Sequence, residues 1–492
     1  MEMGKDIIAI SPEEVPCAFQ LKGGTGRRIT LNQWNGLSSQ INALMVDKIV
    51  HPSVNTNIQH ESWFVTNKNL DEEVSRSIDD LNRGWIDRGH PELHLRTIVR
   101  GELFKKAQDL QAELWPSELN QIKGFLELYL ESGKGNLPKE NFVKVLSSIL
   151  PIDNPIRTSK ESCKRSISAA ALACALSTMS FSNEKNHFAI IEAWTLYASY
   201  VLAIADRNKL AHRYWLLSFQ IALRAIYDSL GRLCDELMER DNLVEGNPFV
   251  DPVFYRCRIT ILIAMLSIYG LWRQSERGQY CEHRHDEFIK QFCIDNRDKM
   301  LLWGEYAVPQ FLAFYWYFRN NDATPEPDFL IGRLIATITA LRDHRSNGKL
   351  PDPYYAFEDI FLDEKMSDYS FKGYSYMLEG LVHLFVRTNW KQSMKSLWPD
   401  VTKLAFESFE VEKKWHYYLW RNERGTQLTK MPAFTQNWDD LKAQASENDG
   451  KNLPRLLKQN PILFLLFLCV CPHRVNSESI RWLDSKLFRK KD

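Results

Sequence analysis

Residues 191–208, IEAWTLYASYVLAIADRN, decide the fold class of this chain. Three further stretches repeat the pattern: RITILIAMLSIYGLWRQ at 258–274, GEYAVPQFLAFYWYFRNN at 304–321 and KGYSYMLEGLVHLFVRTN at 372–389. Each stretch is apolar on nearly every side of a helix, so each predicts a helix that is buried on several sides. A second, more amphipathic helix is expected after each one, which predicts an all-α protein built from αα-hairpins.

The four stretches also end alike. Each closes on an arginine followed by an amide or hydroxyl residue, namely Arg207-Asn208, Arg273-Gln274, Arg319-Asn320 and Arg387-Thr388. A cation at a helix C-terminus opposes the negative end of the helix dipole, and Asn tolerates the left-handed turn that ends many helices. We therefore expect the four helices to pack as neighbours, with these ends on one common side.

Residues 189–411 resemble αα-hairpin proteins, which include helical repeats and the (α/α) barrels of several glycosidases and epimerases. The resemblance rests on the order of an aromatic-rich first helix, a polar break and an amphipathic second helix. It implies a helical bundle or an αα-hairpin repeat, arranged as a solenoid or as a partial α/α toroid.

Breaks in the helical pattern predict three domains. The turn at 150–155, LPIDNP, ends an N-terminal helical region of residues 1–150, whose first 30 residues are irregular. Residues 151–411 form the central αα-hairpin domain. Residues 412–492, interrupted by four prolines, form a C-terminal helical cap.

Composition excludes several classes of protein. Lys plus Arg and Asp plus Glu both total 62, so the chain lacks the basic excess of a dedicated duplex-DNA binder. Nine scattered cysteines do not form a disulfide pattern and indicate a reducing, cytoplasmic compartment. The longest apolar run, 462–471, is shorter than the ~20 residues of a membrane-spanning helix. We expect a buried helix or an interface helix there, with a membrane-surface anchor as the alternative. We expect no transmembrane segment, no cofactor and no metal.

Arg207 and His212 carry the clearest catalytic motif. The hexapeptide RNKLAH at 207–212 is similar to the signature of HEPN ribonucleases, an all-helical family in which an Arg and a His share a phosphate. The resemblance implies that Arg207 stabilises the scissile phosphate and that His212 acts as acid or base, without a metal. Because Arg plus a polar residue closes all four apolar helices, helix capping is the alternative role of Arg207.

Carboxylates and aromatic residues alternate at 352–369, between two of the predicted hairpins. In a toroid this segment is placed where active-site loops lie, and paired carboxylates with aromatic platforms are what glycoside cleavage requires. The alternative is a capped amphipathic helix with a solvated acidic face. The candidate carboxylates are Glu358, Asp359, Asp363 and Asp368.

One basic segment suggests contact with phosphates. The best basic face lies within 88–106, and its candidate contacts are Arg88, Arg96, Arg100 and Lys105. A solvated helix surface is the alternative. The loop KGGTGRR at 22–28 is rich in glycine but lacks the spacing and the Lys-Ser/Thr ending of a P-loop, so we interpret it as a flexible turn.

Neutral charge, abundant aromatic residues and buried helices favour a non-enzymatic helical scaffold or adaptor in a larger cytosolic assembly. Protein partners are expected, and the basic face leaves contact with nucleic acid open. The first alternative is a HEPN-like ribonuclease, and the second is an α/α-toroid enzyme that acts on a sugar-like substrate.

Overall fold

Two compact units make up the chain. The computed structural model describes residues 5–11, 14–24, 27–49, 54, 58–103, 105–106, 119–152, 159–240, 252–275, 283–300, 305, 307–321, 327–341, 350–351, 371–372, 375–420, 425–430, 434, 436–446 and 450–487. Contacts divide the chain into Met1–Trp115 (unit 1) and Pro116–Asp492 (unit 2).

Unit 1 contains a four-stranded sheet, which the prediction of an N-terminal helical region did not include. Its strands, in sheet order, are β1 (Ile7–Ile10), β2 (Pro16–Lys22), β4 (Glu61–Thr66) and β6 (Leu95–Ile98). β1 is antiparallel to β2, whereas β2, β4 and β6 are mutually parallel. A second, parallel pair joins β3 (Arg28–Ile29) to β5 (Asn69–Leu70).

Helices connect the parallel strands. They are α1 (Leu31–Asn35), α2 (Ser38–Val46) and α3 (Glu72–Asp87). Their apolar side chains and one face of the sheet form a single core, which includes Ala18, Trp34, Leu44, Phe64, Val74, Ile78 and Leu95. Asn82 of α3 fixes this packing, since its amide accepts from Leu95 N at 2.8 Å and donates to Leu95 O at 3.1 Å.

The strands of unit 1 are short, and that explains why helical periodicity concealed them. β4 has six residues, ESWFVT, whose side chains alternate between half-buried and buried positions. This alternation is the signature of a strand, but in so short a run it is easily read as part of a neighbouring helix. The predicted helical region of residues 1–150 thus contains helices such as α3, but it also contains β4 and β6.

Unit 2 is mostly helical, as predicted. Its helices, in chain order, are α4 (Leu119–Tyr129), α5 (Lys139–Ile149), α6 (Lys160–Ser177), α7 (Met179–Asn183), α8 (His187–Arg207), α9 (Leu216–Glu239), α10 (Pro252–Ser275), α11 (His283–Asn296), α12 (Val308–Asn320), α13 (Pro327–Leu341), α14 (Leu378–Arg387), α15 (Lys391–Val401), α16 (Trp438–Ser446), α17 (Arg455–Lys458), α18 (Pro461–Val470) and α19 (Ser477–Leu487).

Two small antiparallel strand pairs interrupt the helices of unit 2. They are β7 (Leu350–Pro351) with β8 (Phe371–Lys372), and β9 (Phe406–Val411) with β10 (Gly425–Lys430). The β9–β10 pair spans the predicted domain boundary at 411. Residues on both sides of that position belong to the same hydrophobic core.

The apolar run at 462–471 lies at the centre of unit 2. It forms α18, whose residues Ile462–Cys469 are buried, and it packs against α8, α10 and α12. A helix this apolar must be covered on all sides, and three long apolar helices supply the cover. The prediction of a buried helix at this position is confirmed.

The ends of three apolar helices are joined by side-chain bonds. At the end of α10, Gln274 donates to Asn321, which follows α12, at 3.1 Å. Arg319 of α12 and Arg387 of α14 both bind the buried carboxylate of Asp484 in α19, at 3.0 and 3.2 Å. These arginines therefore pair with a specific anion in addition to opposing the helix dipoles.

The end of the fourth apolar helix, α8, contacts the segment that leads into α18. Tyr418 accepts a hydrogen bond from Leu456 N in α17 and donates one to Asp206 of α8, at 3.3 and 3.5 Å. The start of α18 lines the same cavity, of about 280 Å³, as Gln274 and Asn320. The ends of α10 and α12 thus line one cavity with the start of α18. The end of α14 joins that of α12 through Asp484, and the end of α8 is linked to α17 through Tyr418.

Buried carboxylates anchor further helices of unit 2. Glu305 is fully buried and accepts from Ser375 Oγ and from Tyr376 N, the latter at 2.7 Å, just before α14 begins. A negative charge there complements the positive end of the helix dipole. Lys139 of α5 binds Glu192 of α8 at 2.8 Å, and both side chains are buried.

Among the described residues, one helix is long and apolar enough to cross a membrane. It is α8, with a mean hydropathy of 1.6 over its most apolar 18-residue window. Of that window, 94% is buried inside unit 2, as in the core helix of a globular protein. The expectation that the chain has no transmembrane segment agrees with this burial.

Candidate functional site

Three loops meet at the carboxyl edge of the sheet in unit 1. Because β2, β4 and β6 are parallel, the loops that follow Lys22, Thr66 and Ile98 leave the sheet at the same edge. Lys22 lies in register with Thr66. Backbone atoms join the second and third loops, since Arg100 N donates to Lys68 O at 3.1 Å. Lys22, Lys68 and Arg100, from three separate parts of the sequence, are therefore gathered at one edge.

The glycine-rich loop after β2 is fixed to the loop after β4. Gly24 N donates to Asn67 Oδ1 at 3.2 Å, and Asn67 Nδ2 donates to Gly24 O at 3.3 Å. The ammonium of Lys68 lies over Gly24, because a Cβ placed on this glycine would be 2.8 Å from Lys68 Nζ. The absence of a side chain on Gly24 thus allows a cation to approach the backbone of the loop.

The carboxylate of Asp6 lies beside the cationic edge. Asp6, which precedes β1, accepts from Gln20 Nε2 at 2.5 Å and from Leu21 N at 2.7 Å. Gln20 is buried and Asp6 is exposed. The two hydrogen bonds hold the carboxylate of Asp6 next to the last residue of β2, Lys22.

The predicted basic face of 88–106 is divided between two ends of unit 1. Arg88 follows α3 at the amino edge of the sheet, and its guanidinium lies 5.3 Å from the ring centre of Trp85. Arg96 is on β6 and binds Glu61 at 2.8 Å. Arg100 lies at the carboxyl edge, and Lys105 is exposed in the helical turn that follows it. The structure therefore places Arg100 at the same edge of the sheet as Lys22 and Lys68, whereas Arg88 lies at the opposite edge.

Arg207 is the last residue of α8, and its cation lies on an aromatic ring. The guanidinium is 4.6 Å from the ring centre of Trp415. The helix ends in a left-handed turn at Lys209, with a φ of 49°, whereas Asn208 has a φ of −92°. Leu210 N closes the turn by donating to Ala205 O at 2.9 Å. Arg207 therefore lies where the helix ends, which is the position expected if its role is helix capping.

His212 lies outside the helix that contains Arg207. It begins a short 3₁₀ turn, His212–Tyr214, and its exposed ring meets the edge of Trp215 with the centres 5.3 Å apart. The two residues of the motif are therefore not on one helix face. A shared phosphate would have to bridge from the end of α8 to the following turn.

The candidate carboxylates Glu358, Asp359, Asp363 and Asp368 lie outside the described residues. Within the described part of the chain, no three His, Cys, Asp or Glu side chains form a group that could hold a metal ion.

The described cysteines are buried thiols. The eight that the structure describes are Cys17, Cys163, Cys174, Cys234, Cys257, Cys293, Cys469 and Cys471, and all are buried. Burial raises the pKa of Cys234 to about 12 and that of Cys293 to about 12, because the thiolate loses its solvation. Such thiols stay protonated near neutral pH and are poor nucleophiles.

Sequence reasoning missed Lys22 and Lys68 as members of the edge. The signal was present in CAFQLKGG at 17–24 and ESWFVTNK at 61–68, where a short alternating run is followed by turn residues and a lysine. The pairing of two such runs depends on long-range contacts, which a single sequence does not contain.

Comparison of the chain with protein-family models, with curated proteins and with solved structures finds no match.

Proposed function

We propose that this chain binds the phosphate backbone of a nucleic acid through the carboxyl edge of unit 1, and that unit 2 is a helical scaffold. The observation that carries the proposal is the gathering of Lys22, Lys68 and Arg100 at the edge where three parallel strands end. Ligands of open parallel sheets bind at this edge, outside the carboxyl ends of the strands.

The chemistry of the edge suits phosphates. Lysine and arginine supply most of the affinity for nucleic acid by neutralising phosphates and releasing counterions. Gly23 and Gly24 are exposed, so the backbone of their loop is open to a ligand. A local cluster of cations of this kind is compatible with a chain whose net charge is zero.

Unit 2 supports the scaffold part of the proposal. Its long helices are buried against one another, and side-chain bonds join the ends of α10, α12 and α14. These links favour αα-hairpins that pack as neighbours. Scattered, buried cysteines favour a reducing cytosol, and protein partners for unit 2 are part of the proposal.

Cleavage of the bound phosphodiester is the second candidate function, and Asp6 is the observation that favours it. Mg²⁺ in phosphoryl-transfer sites is held by one or two carboxylates together with substrate phosphates. Asp6 supplies one exposed carboxylate at the edge, and Lys22 next to it would stabilise charge that develops on the phosphate. An Asp6→Asn variant would then lose Mg²⁺-dependent cleavage and keep binding.

The two alternatives drawn from the sequence receive less support. The HEPN-like ribonuclease needs Arg207 and His212 to act on one phosphate, and the helix ends between them, with Arg207 on Trp415. The toroid enzyme needs the carboxylates of 352–369, which lie outside the described residues.

The test is binding of fluorescent DNA and RNA oligonucleotides to the full chain, measured by anisotropy. Lys68→Ala should weaken binding of every sequence by a similar factor, because a phosphate contact carries no sequence information. Arg83→Ala is the matched control, since Arg83 is an exposed cation of α3 near Asp80 and remote from the edge. Equal effects of the two substitutions would contradict the proposal.

A further inference from the structure

Large apolar side chains are exposed on three neighbouring helices of unit 2. Helix α6 packs against both α4 and α9, and the short helix α7 follows α6. At each of the exposed positions at least 36% of the residue is open to solvent, and at Leu217 and Leu130 the fractions are 73% and 77%. The six residues, here called the apolar face, are Leu126, Leu130, Leu172, Met179, Leu217 and Ile221.

The α4 part of the apolar face lies beside α7. Leu126 and Leu130 are four positions apart in one helical turn, in which Leu130 N donates to Leu126 O at 2.9 Å, so they lie on the same side. Three residues later, Gly133 lies so close to the backbone of Ser180 that a Cβ on Gly133 would overlap it. Because Ser180 follows Met179, the turn after α4 brings Leu130 towards Met179.

The part of the face on α6 and α7 runs along one side of these helices. Leu172 and Met179 are seven positions, or about two helical turns, apart. Thr178, which joins the two helices, keeps right-handed helical dihedrals, so the spacing places both side chains on one side. The charged residues within 160–165 lie two turns or more before Leu172 and are therefore at the margin of the face.

The α9 part of the face adjoins α6. Leu217 and Ile221 are four positions apart and lie on one side of α9. The hydroxyl of Tyr197 in α8 donates to Ile167 O of α6 at 3.0 Å and is also hydrogen-bonded to Ser218 of α9. Since Ser218 follows Leu217, this link places the start of α9 beside the middle of α6.

The apolar face is large enough for a macromolecular partner. Exposed apolar residues that are scattered singly are normal on a protein surface, whereas six on adjoining helices are not. The exposed parts of the six residues amount to roughly 600 Å², at the upper end of the ~300–600 Å² of the largest apolar patch on a typical monomer. With the polar atoms between them, the face approaches the ~800 Å² that each partner buries in a standard interface.

The charges beside the face on its two outer helices form ion pairs. Lys123 and Glu127 of α4 are 4.0 Å apart, and Arg224 and Asp228 of α9 are 2.9 Å apart. Each pair cancels its own charge. Anionic lipid surfaces and nucleic acids attract clusters of cations, so these pairs favour a partner whose surface is itself apolar and nearly neutral.

We propose that the apolar face of unit 2 binds the same face of a second copy of this chain in a two-fold symmetric dimer. Two-fold dimers are the commonest oligomers of soluble proteins, and their interfaces use the same patch on both subunits. A face flanked by neutral ion pairs does not repel its own copy, and its apolar side chains are stabilised by leaving water. The inference rests on the scaffold part of the proposed function, whose partner it names, and not on nucleic-acid binding.

The test is sedimentation equilibrium of the full chain over a series of concentrations, at low and at high salt. We expect the wild type to have twice the mass of one chain and to remain associated at high salt, because salt screens charges and not apolar contacts. Leu217→Asp should weaken association by about hundredfold or more, since two-fold symmetry introduces the carboxylate twice into an apolar interface. Leu130→Asp should act in the same direction. Both residues are exposed in the single chain, so circular dichroism should show that both variants are folded.

Ile86→Asp is the matched control, because Ile86 is an exposed apolar residue of a helix, α3, but belongs to unit 1 and not to the apolar face. It should dimerise like the wild type. A monomeric wild type would overturn the proposal, and if that monomer sediments with vesicles of phosphatidylcholine and phosphatidylserine, the face binds a membrane instead. A dimer that persists in both leucine variants, or that Ile86→Asp weakens equally, would also overturn it.

Oligonucleotide anisotropy on the same samples separates this inference from the phosphate-binding role of unit 1. A wild type that dimerises through the apolar face without binding DNA or RNA would support the dimer and contradict the nucleic-acid role. A monomeric wild type that binds oligonucleotides would have the opposite meaning.

Discussion

Arg319 and Asp484 form a buried ion pair at 3.0 Å although 165 residues separate them in the chain. The same carboxylate accepts from Trp316 Nε1 at 3.0 Å and binds Arg387 at 3.2 Å. Asp484 therefore ties α12, α14 and α19 together. Because a carboxylate and two arginines are taken out of water here, the geometry is stable only while all partners are present.

Asp484→Asn should destabilise unit 2 by about 3–5 kcal/mol, because it leaves two arginines largely buried without a counter-charge. The asparagine keeps the shape of the site and can still accept a hydrogen bond from Trp316. The loss of stability therefore measures the effect of removing the negative charge. The measurement is urea denaturation of the full chain. Asp400→Asn, which removes an exposed ion pair with Lys403, should cause almost no change. Similar losses for both variants would contradict a role for Asp484 as a buried anchor.

Two glycine substitutions should have opposite effects. Gly270 of α10 lies against the ring of Tyr317 in α12, so a methyl group at this position would overlap the ring. Gly270→Ala should therefore cost about 1–3 kcal/mol through strained packing. Gly84 of α3 has no atom within 4 Å of the added Cβ, and Gly84→Ala should stabilise by about 0.5–1 kcal/mol. Thermal denaturation checks both, and a stabilising Gly270→Ala would show that α10 and α12 do not pack this closely.

His60 should make unit 1 sensitive to acid. Burial lowers the pKa of His60, and its Nε2 lies 2.7 Å from Leu44 O. A histidine whose folded pKa is below its unfolded value of 6.5 stabilises the fold above that value, and the contribution is lost as the pH falls through the folded pKa.

The check is the urea midpoint of the wild type at pH 7.5 and at pH 5. We expect the decrease between these pH values to be smaller in His60→Gln, whose neutral amide can replace the donor to Leu44. His90→Gln, a change at an exposed histidine, serves as the control. The same pH dependence in His60→Gln and in the wild type would exclude His60 as its source.

Substitutions of Arg207 and of His212 should have different effects on the melting temperature. Arg207→Ala should lower the melting temperature, because it removes a cation–π contact of about 0.5–2 kcal/mol with Trp415. His212→Ala should leave the melting temperature nearly unchanged, since the ring is exposed. We expect no RNA cleavage that depends on both residues. If the wild type cleaves RNA and either substitution abolishes cleavage without loss of stability, the result would support the HEPN-like ribonuclease hypothesis.

The sequence predicted the helical part of this protein far better than the sheet. Long apolar runs such as 191–208 and 462–471 indicate buried helices by themselves, because nearly every side chain must leave water. The arginines at the helix ends were also visible, but their partner Asp484 was not, since no local rule connects it to Arg319. Lys22 and Lys68 meet only because β2 and β4 pair in parallel, which is a contact between distant segments.

The salt dependence of nucleic-acid binding tests the central claim most directly. The logarithm of the association constant falls linearly with the logarithm of salt concentration, with a slope of about −0.9 per neutralised phosphate of duplex DNA. The triple variant Lys22→Ala, Lys68→Ala, Arg100→Ala should therefore bind more weakly at low salt, with a slope shallower by about 2–3 than that of the wild type. A wild-type slope in the triple variant would place the phosphates elsewhere on the chain and contradict the account.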